Sequence, residues 1–176
     1  EHNYEIELHD MMVTRESAED LLAYRKADLI FSFTPLQNRS ITCTDFREIP
    51  FVLFCRKDHP RIGEAPDRES LLQEKFTAFL SEEPGVKNFQ STIAEALPDR
   101  NVAFRSDSYM TILSMVSTSD MIGIAPEIVY QRYADFLELR AINADFELPR
   151  LKIHMMYNRS ALNSNSFSHF IAQISP

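Results

Sequence analysis

Ser106, Asp107 and Ser108 stand just before an apolar run, Ile112, Leu113 and Val116, that repeats at helical spacing. Hydroxyls and free backbone N–H groups at a helix start can hold an anionic ligand. The same three residues can equally do no more than cap the helix, and Asp107 would repel a carboxylate unless it faces away. A second polar group, Ser81, Glu82 and Glu83, follows the apolar stretch 76–80 and leads into Pro84 and Gly85. Its glutamates also suit the positive end of a helix dipole as plain solvated charges. Phe33, Thr34 and Pro35 close a third apolar stretch, where Thr34 is the polar group on offer and an ordinary strand end is the alternative. Ala125 and Pro126 end a fourth, and could shape a wall without supplying chemistry.

Catalytic and metal chemistry find little support. His2, His9, His59, His154 and His169 are scattered, and no pair stands at metal-ligand spacing. There is no Cys-x-x-Cys, no Gly-x-Ser-x-Gly, no phosphate loop and no Gly-x-Gly-x-x-Gly. His9 and Asp10 could be drawn as an acid–base pair, but neighbours on a strand point to opposite faces. No catalytic residue, no metal and no cofactor is therefore expected. The net charge of −8 disfavours direct binding of nucleic acid. Arg100, Arg105, Arg132, Arg140 and Arg150 are dispersed among acids and read as surface charges and ion pairs. Cys43 and Cys55 point to a reduced, cytoplasmic setting, with a disulfide between them as the alternative. No segment approaches the length of a membrane span.

The elements that must position these residues alternate. Residues 4–9 alternate apolar and polar, as a strand does. Ser17 opens a helix, and 27–33 is a mostly apolar strand expected to be central. Two strands follow at 41–46 and 51–56, then a short helix at 67–73 and a strand at 76–80. Val86, Phe89, Ile93 and Leu97 mark a helix that Pro98 stops. Residues 102–105 form a strand, Ser108 opens the next helix, and 121–125 is a strand. Pro126 suits a first helical turn. Stretches 137–142 and 151–157 are extended, and Ser164 caps a last helix. Strands alternating with helices predict a parallel α/β sheet, whose ligands sit outside the carboxyl ends of the strands. The middle group is contiguous, while the outer group joins the two ends of the chain. This predicts a discontinuous first lobe, 1–50 plus 145–176, and a second lobe, 51–144. Two crossovers between lobes imply a hinge and a cleft for a small molecule.

Three segments in order carry a family resemblance: Ala27-Asp28-Leu29-Ile30, the crossover strand from Phe51 ending in His59-Pro60, and Met121-Ile122-Gly123-Ile124-Ala125-Pro126. Over nearly its whole length the chain resembles the effector-binding domain of LysR-type transcriptional regulators, with the look of the leucine-operon and nodulation regulator subgroup. The resemblance implies a type 2 periplasmic-binding-protein-like fold of two Rossmann-like lobes. It implies a small-molecule effector, with a small organic acid as one option. It places the loop of Ser81 and Glu82 on the cleft, where Ser81 could donate to a ligand. It further implies homodimers or homotetramers, and contact with DNA only through an N-terminal winged-helix domain outside this chain. Family domains open with a strand and helix ahead of the segment matching residues 4–9, so the first lobe is expected to be truncated here. The family also often carries two glycines before the Ile-Ala pair, whereas only Gly123 is kept. Ser119 and Asp120 would then have to make the turn by bonding their own backbone.

Two rivals remain at this level. One is a transporter's solute-binding protein, which shares the fold. The other is a ligand-independent interaction domain whose cleft is occluded by bulky side chains, for which the many Phe and Met residues speak.

Overall fold

In the computed structural model, residues 3–9 and 16–175 are described. They fall into two units, Glu1–Arg47 with Lys152–Pro176, and Glu48–Leu151.

The first unit is built around the strand β8 (Leu151–Asn158), flanked by β1 (Ile30–Ser32) and β2 (Ile41–Ile49) in the order β1-β8-β2. β1 runs antiparallel to β8, with Ile30 opposite Met156. Alternate residues of β8 serve different layers. Met156 packs with Leu22 of helix α1 (Ala18–Ala23), while Met155 and Tyr157 pack with Ile171 of helix α6 (Asn165–Ile174). A strand covered on both faces reads as a continuous apolar run, as Met155-Met156-Tyr157 does. Serines start both helices: Ser17 accepts from the N–H of Asp20 at 3.1 Å, and Ser164 from that of Phe167 at 3.4 Å.

Two expectations change in this unit. The strand read at 27–33 shortens to β1, and it lies at the edge of the described sheet rather than its centre, with Phe31 44% exposed. Residues 4–9 form no strand among the described residues. Tyr4 leans on Phe170 at 5.1 Å between rings, while Ile6 and Leu8 stand exposed. Alternation makes a strand only where a partner edge accepts its backbone hydrogen bonds.

The second unit holds β3 (Phe51–Arg56), α2 (Arg68–Leu72), β4 (Lys75–Phe79), α3 (Pro84–Ala96), β5 (Asn101–Ser106), α4 (Tyr109–Ser117), β6 (Gly123–Pro126), α5 (Glu127–Tyr133) and β7 (Leu139–Ala141). β4 and β5 are parallel, and β3 lies between β6 and β7, antiparallel to both. Ile122 joins the two ladders: Thr77 N–H donates to its carbonyl at 2.9 Å, and its own N–H donates to the Lys75 carbonyl at 2.8 Å. The sheet is thus mixed, not all parallel. β3 brings the chain into this unit and runs against its neighbours, while β6 and β7, both antiparallel to β3, run parallel to each other and are joined through α5. Ile112, Leu113 and Val116 of α4 pack on Phe54 and Ala125 of the sheet. Each such side chain contributes roughly 1.5–3 kcal/mol on burial.

Gly123 sits opposite Phe54 in the ladder, and a Cβ built there would meet the Phe54 ring at 2.3 Å. The retained glycine is therefore a packing requirement. Ser119 fulfils its expected turn role, accepting from Met121 N–H at 3.3 Å. Asp120 does not: its carboxylate accepts from the guanidinium groups of Arg56 and Arg61. Pro126 also differs from expectation. It is the last residue of β6, with ψ 133°, and precedes α5 rather than forming its first turn. Cys43 and Cys55 are both free.

Candidate ligand-binding site

β4 and β5 end level with each other, Phe79 opposite Ser106, and Leu80 N–H donates to the Ser106 carbonyl at 2.8 Å. The chain then turns into α3 through Ser81 and Glu82, and into α4 through Asp107 and Ser108. Parallel pairing thereby brings both polar groups of the sequence to one end of this unit. Each serine oxygen accepts a backbone N–H: Ser81 from Glu83 at 3.2 Å, Ser106 from Ser108 at 3.1 Å and Ser108 from Thr111 at 3.3 Å. Ser108 thus caps α4, whereas Ser81 and Ser106 brace the turns and α3 starts after Glu83 without a side-chain cap. A hydroxyl has a donor as well as acceptor lone pairs, so the three O–H groups are left to donate elsewhere. Glu82 pairs with Lys87 and its side chain is 86% exposed; Asp107 is exposed too.

Aromatic residues that sequence reasoning missed flank these serines. The Phe79 and Tyr109 rings stack at 4.2 Å with 5° between planes, and Phe51 stands edge-on to Tyr109 at 6.4 Å. Phe51 also packs against Phe89 at 4.3 Å. Burial pushes the Tyr109 hydroxyl above the ordinary tyrosine range, so it keeps its proton at neutral pH. The available signal was position: Phe79 lies two residues before Ser81, and Tyr109 directly follows Ser108.

Ala125 and Pro126 are buried in β6, with Val52 and Phe51 opposite them. Phe33, Thr34 and Pro35 lie in the first unit just beyond β1, where Thr34 N–H donates to the Ser32 hydroxyl at 3.1 Å. Phe33 and Thr34 are half-buried and Pro35 is exposed.

A charged cluster occupies the other end of β4. Buried Glu74 accepts from Arg61 at 2.7 and 2.8 Å, and Arg61 also reaches Asp120 at 3.2 Å. The hydrogen bonds from Arg61 hold the Glu74 carboxyl below its usual range, and those from Arg56 and Arg61 do the same for Asp120. His59, with its side chain fully buried, accepts at Nδ1 from the N–H groups of Arg61 and Ile62, so Nε2 carries the proton and donates to the Asp120 carbonyl at 2.9 Å. Every one of these groups has a partner inside the cluster, which makes it a latch on the loop 57–63 rather than a reaction centre. Arg140 reinforces it by donating to the Lys57, Ile62 and Gly63 carbonyls. Arg140 is thus no free surface charge, and neither is Arg100, whose Nε is buried.

Two units joined by two chain crossings, each a sheet with flanking helices, define a periplasmic-binding-protein-like α/β fold of the second type. The model of the LysR substrate binding domain matches residues 1–175, and the chain belongs to that family, whose members are transcriptional regulators rather than enzymes. The HTH-type transcriptional regulator YbdO of Escherichia coli is 38% identical over 170 residues, 97% of this chain and 57% of that protein. The chain thus spans little more than half the length of this relative. A probable transcriptional regulator from Pseudomonas aeruginosa has the same fold, with a TM-score of 0.71 at 20% identity over 91% of this chain and 53% of its own. So does the regulatory domain of CcmR from Synechocystis, solved in complex with 2-PG, with a TM-score of 0.70 at 16% identity over 89% of this chain and 76% of its own.

Proposed function

We propose that the chain is the effector-sensing and oligomerisation part of a cytoplasmic LysR-type regulator, acting on DNA through an N-terminal domain outside this chain. The observation that carries the reading is the joint ending of β4 and β5. It gathers the Ser81, Ser106 and Ser108 hydroxyls beside the Phe79–Tyr109 stack. Hydroxyl donors beside an apolar wall suit a small organic acid, whose oxygens accept and whose carbon skeleton packs. Glu82 and Asp107 flank this group and would exclude highly charged anions. Ala125 and Pro126 back the wall, and Phe33, Thr34 and Pro35 are the first unit's own candidates. The CcmR domain and its 2-PG lend the reading a precedent. A ligand that binds one arrangement of the regulator better than another shifts the population between them, and homodimers or homotetramers would pass that shift to DNA. Family membership weighs against a transporter's solute-binding protein.

The test is a thermal-shift panel of small carboxylates, hydroxy acids and aromatic acids. A ligand at a hundredfold its dissociation constant should add about 2.7 kcal/mol. Ser81→Ala and Ser106→Ala should each weaken it by the worth of one hydrogen bond, about 0.5–1.5 kcal/mol. A panel that moves nothing would favour the interaction-only domain, for which the mutual packing of Phe51, Phe79, Phe89 and Tyr109 speaks.

A further inference from the structure

A small cavity of ≈ 30 Å³ lies inside the second unit, lined by Phe51, Phe79, Phe89 and Tyr109 together with Gln90 and Arg100. Room of this size takes one or two water-sized groups. Two of its polar side chains are engaged. Gln90 donates its amide to the Phe79 carbonyl, and Thr77, also on the wall, donates its hydroxyl to the Ile122 carbonyl at 3.4 Å. Arg100 is not. Its Nε is the one buried side-chain nitrogen or oxygen without a hydrogen-bond partner among the described residues. Arginine has donors only, so whatever completes it must be an acceptor. No Asp or Glu lines the cavity, and burial, with the neighbouring cation Arg105 adding to it, lowers the Arg100 pKa. Arg100 is half-buried with no counter-charge on the cavity wall, and an anion there both completes the Nε donor and offsets the charge, where a water does only the first.

We propose that this cavity is a binding site for a small monoanion, a carboxylate head group or a halide, held by Arg100 Nε beneath the aromatic residues. The cavity shares the Phe79 and Tyr109 rings with the serine-lined strand ends, but its ligand is held by Arg100 and not by the serines.

Sodium formate titrated against sodium gluconate at constant ionic strength is the first probe, because gluconate is too bulky to enter. The melting temperature should rise with formate and saturate. Arg100→Gln should weaken the apparent affinity at least tenfold, while the surface control Arg105→Gln should change it less than threefold. Sodium benzoate in a parallel arm shows whether the rings part for an aromatic acid or admit the head group alone. Should Arg100→Gln fail to fold, crystals of the unaltered protein soaked in sodium bromide give an independent readout. An anomalous peak at hydrogen-bonding distance from Arg100 Nε is expected. Identical melting in formate and gluconate, an equal response in Arg100→Gln, or water alone in the cavity would overturn the proposal.

Discussion

Gly123 shows how one residue type can be retained for a reason visible only in three dimensions. The Phe54 ring occupies the space a Cβ would need. Gly123→Ala should therefore destabilise by about 1–3 kcal/mol, the usual cost of overpacking, read as a lower urea midpoint at unchanged slope. The paired change Gly123→Ala with Phe54→Leu should recover part of that loss; if Gly123→Ala alone costs nothing, the ring is not the constraint. Ser108 makes the opposite case, since its cap was legible from its place before an apolar helical run. Ser108→Ala removes the acceptor for Thr111 N–H and should cost about 1 kcal/mol. Arg100 and Arg140 were not legible in this way. Their partners, or lack of them, are backbone carbonyls and cavity walls distant in the chain.

At the scale of elements, the latch of Arg56, His59, Arg61, Glu74 and Asp120 ties the loop after β3 to the start of β4 and the approach to β6. Its two carboxyls titrate lower in the folded protein than the ordinary 4.5 and 3.8 for Glu74 and Asp120. A group whose pKa is depressed on folding adds stability above its unfolded pKa, and that stability is lost as pH falls through the folded pKa. Stability should thus hold from neutral pH to about pH 5 and then decline. Glu74→Gln should begin less stable and decline less steeply, measured as urea midpoints across the acid range. Parallel pH dependences in the two proteins would remove Glu74 from the account. The strand calculus was similarly uneven. The apolar runs at 51–56 and 151–157 became β3 and β8, because interior strands need only apolar character. Residues 4–9 alternate correctly yet join no sheet among the described residues, since a ladder needs an edge that no local pattern supplies.

For the molecule as a whole, the proposed function makes the chain part of a regulator that works as an assembly. We expect the protein to melt at a higher temperature as its concentration rises, because association stabilises the folded form by mass action. Sedimentation equilibrium should give the mass of two or four copies, and a monomer mass at every concentration would refute this.

The sequence by itself determined the α/β class, the helix caps at Ser17, Ser108 and Ser164, and the order of segments that marks the family. These depend on neighbours within a turn or two, where hydrophobic period and hydrogen-bonding side chains act locally. Tertiary structure alone decided that the sheet of the second unit is mixed, that Phe79 and Tyr109 stack beside the serines, that Asp120 serves a latch instead of a turn, and that Arg100 is left facing a cavity. Each of these depends on which distant segments meet. Pairing and packing are settled by the summed burial of the whole core, not by any window of the chain.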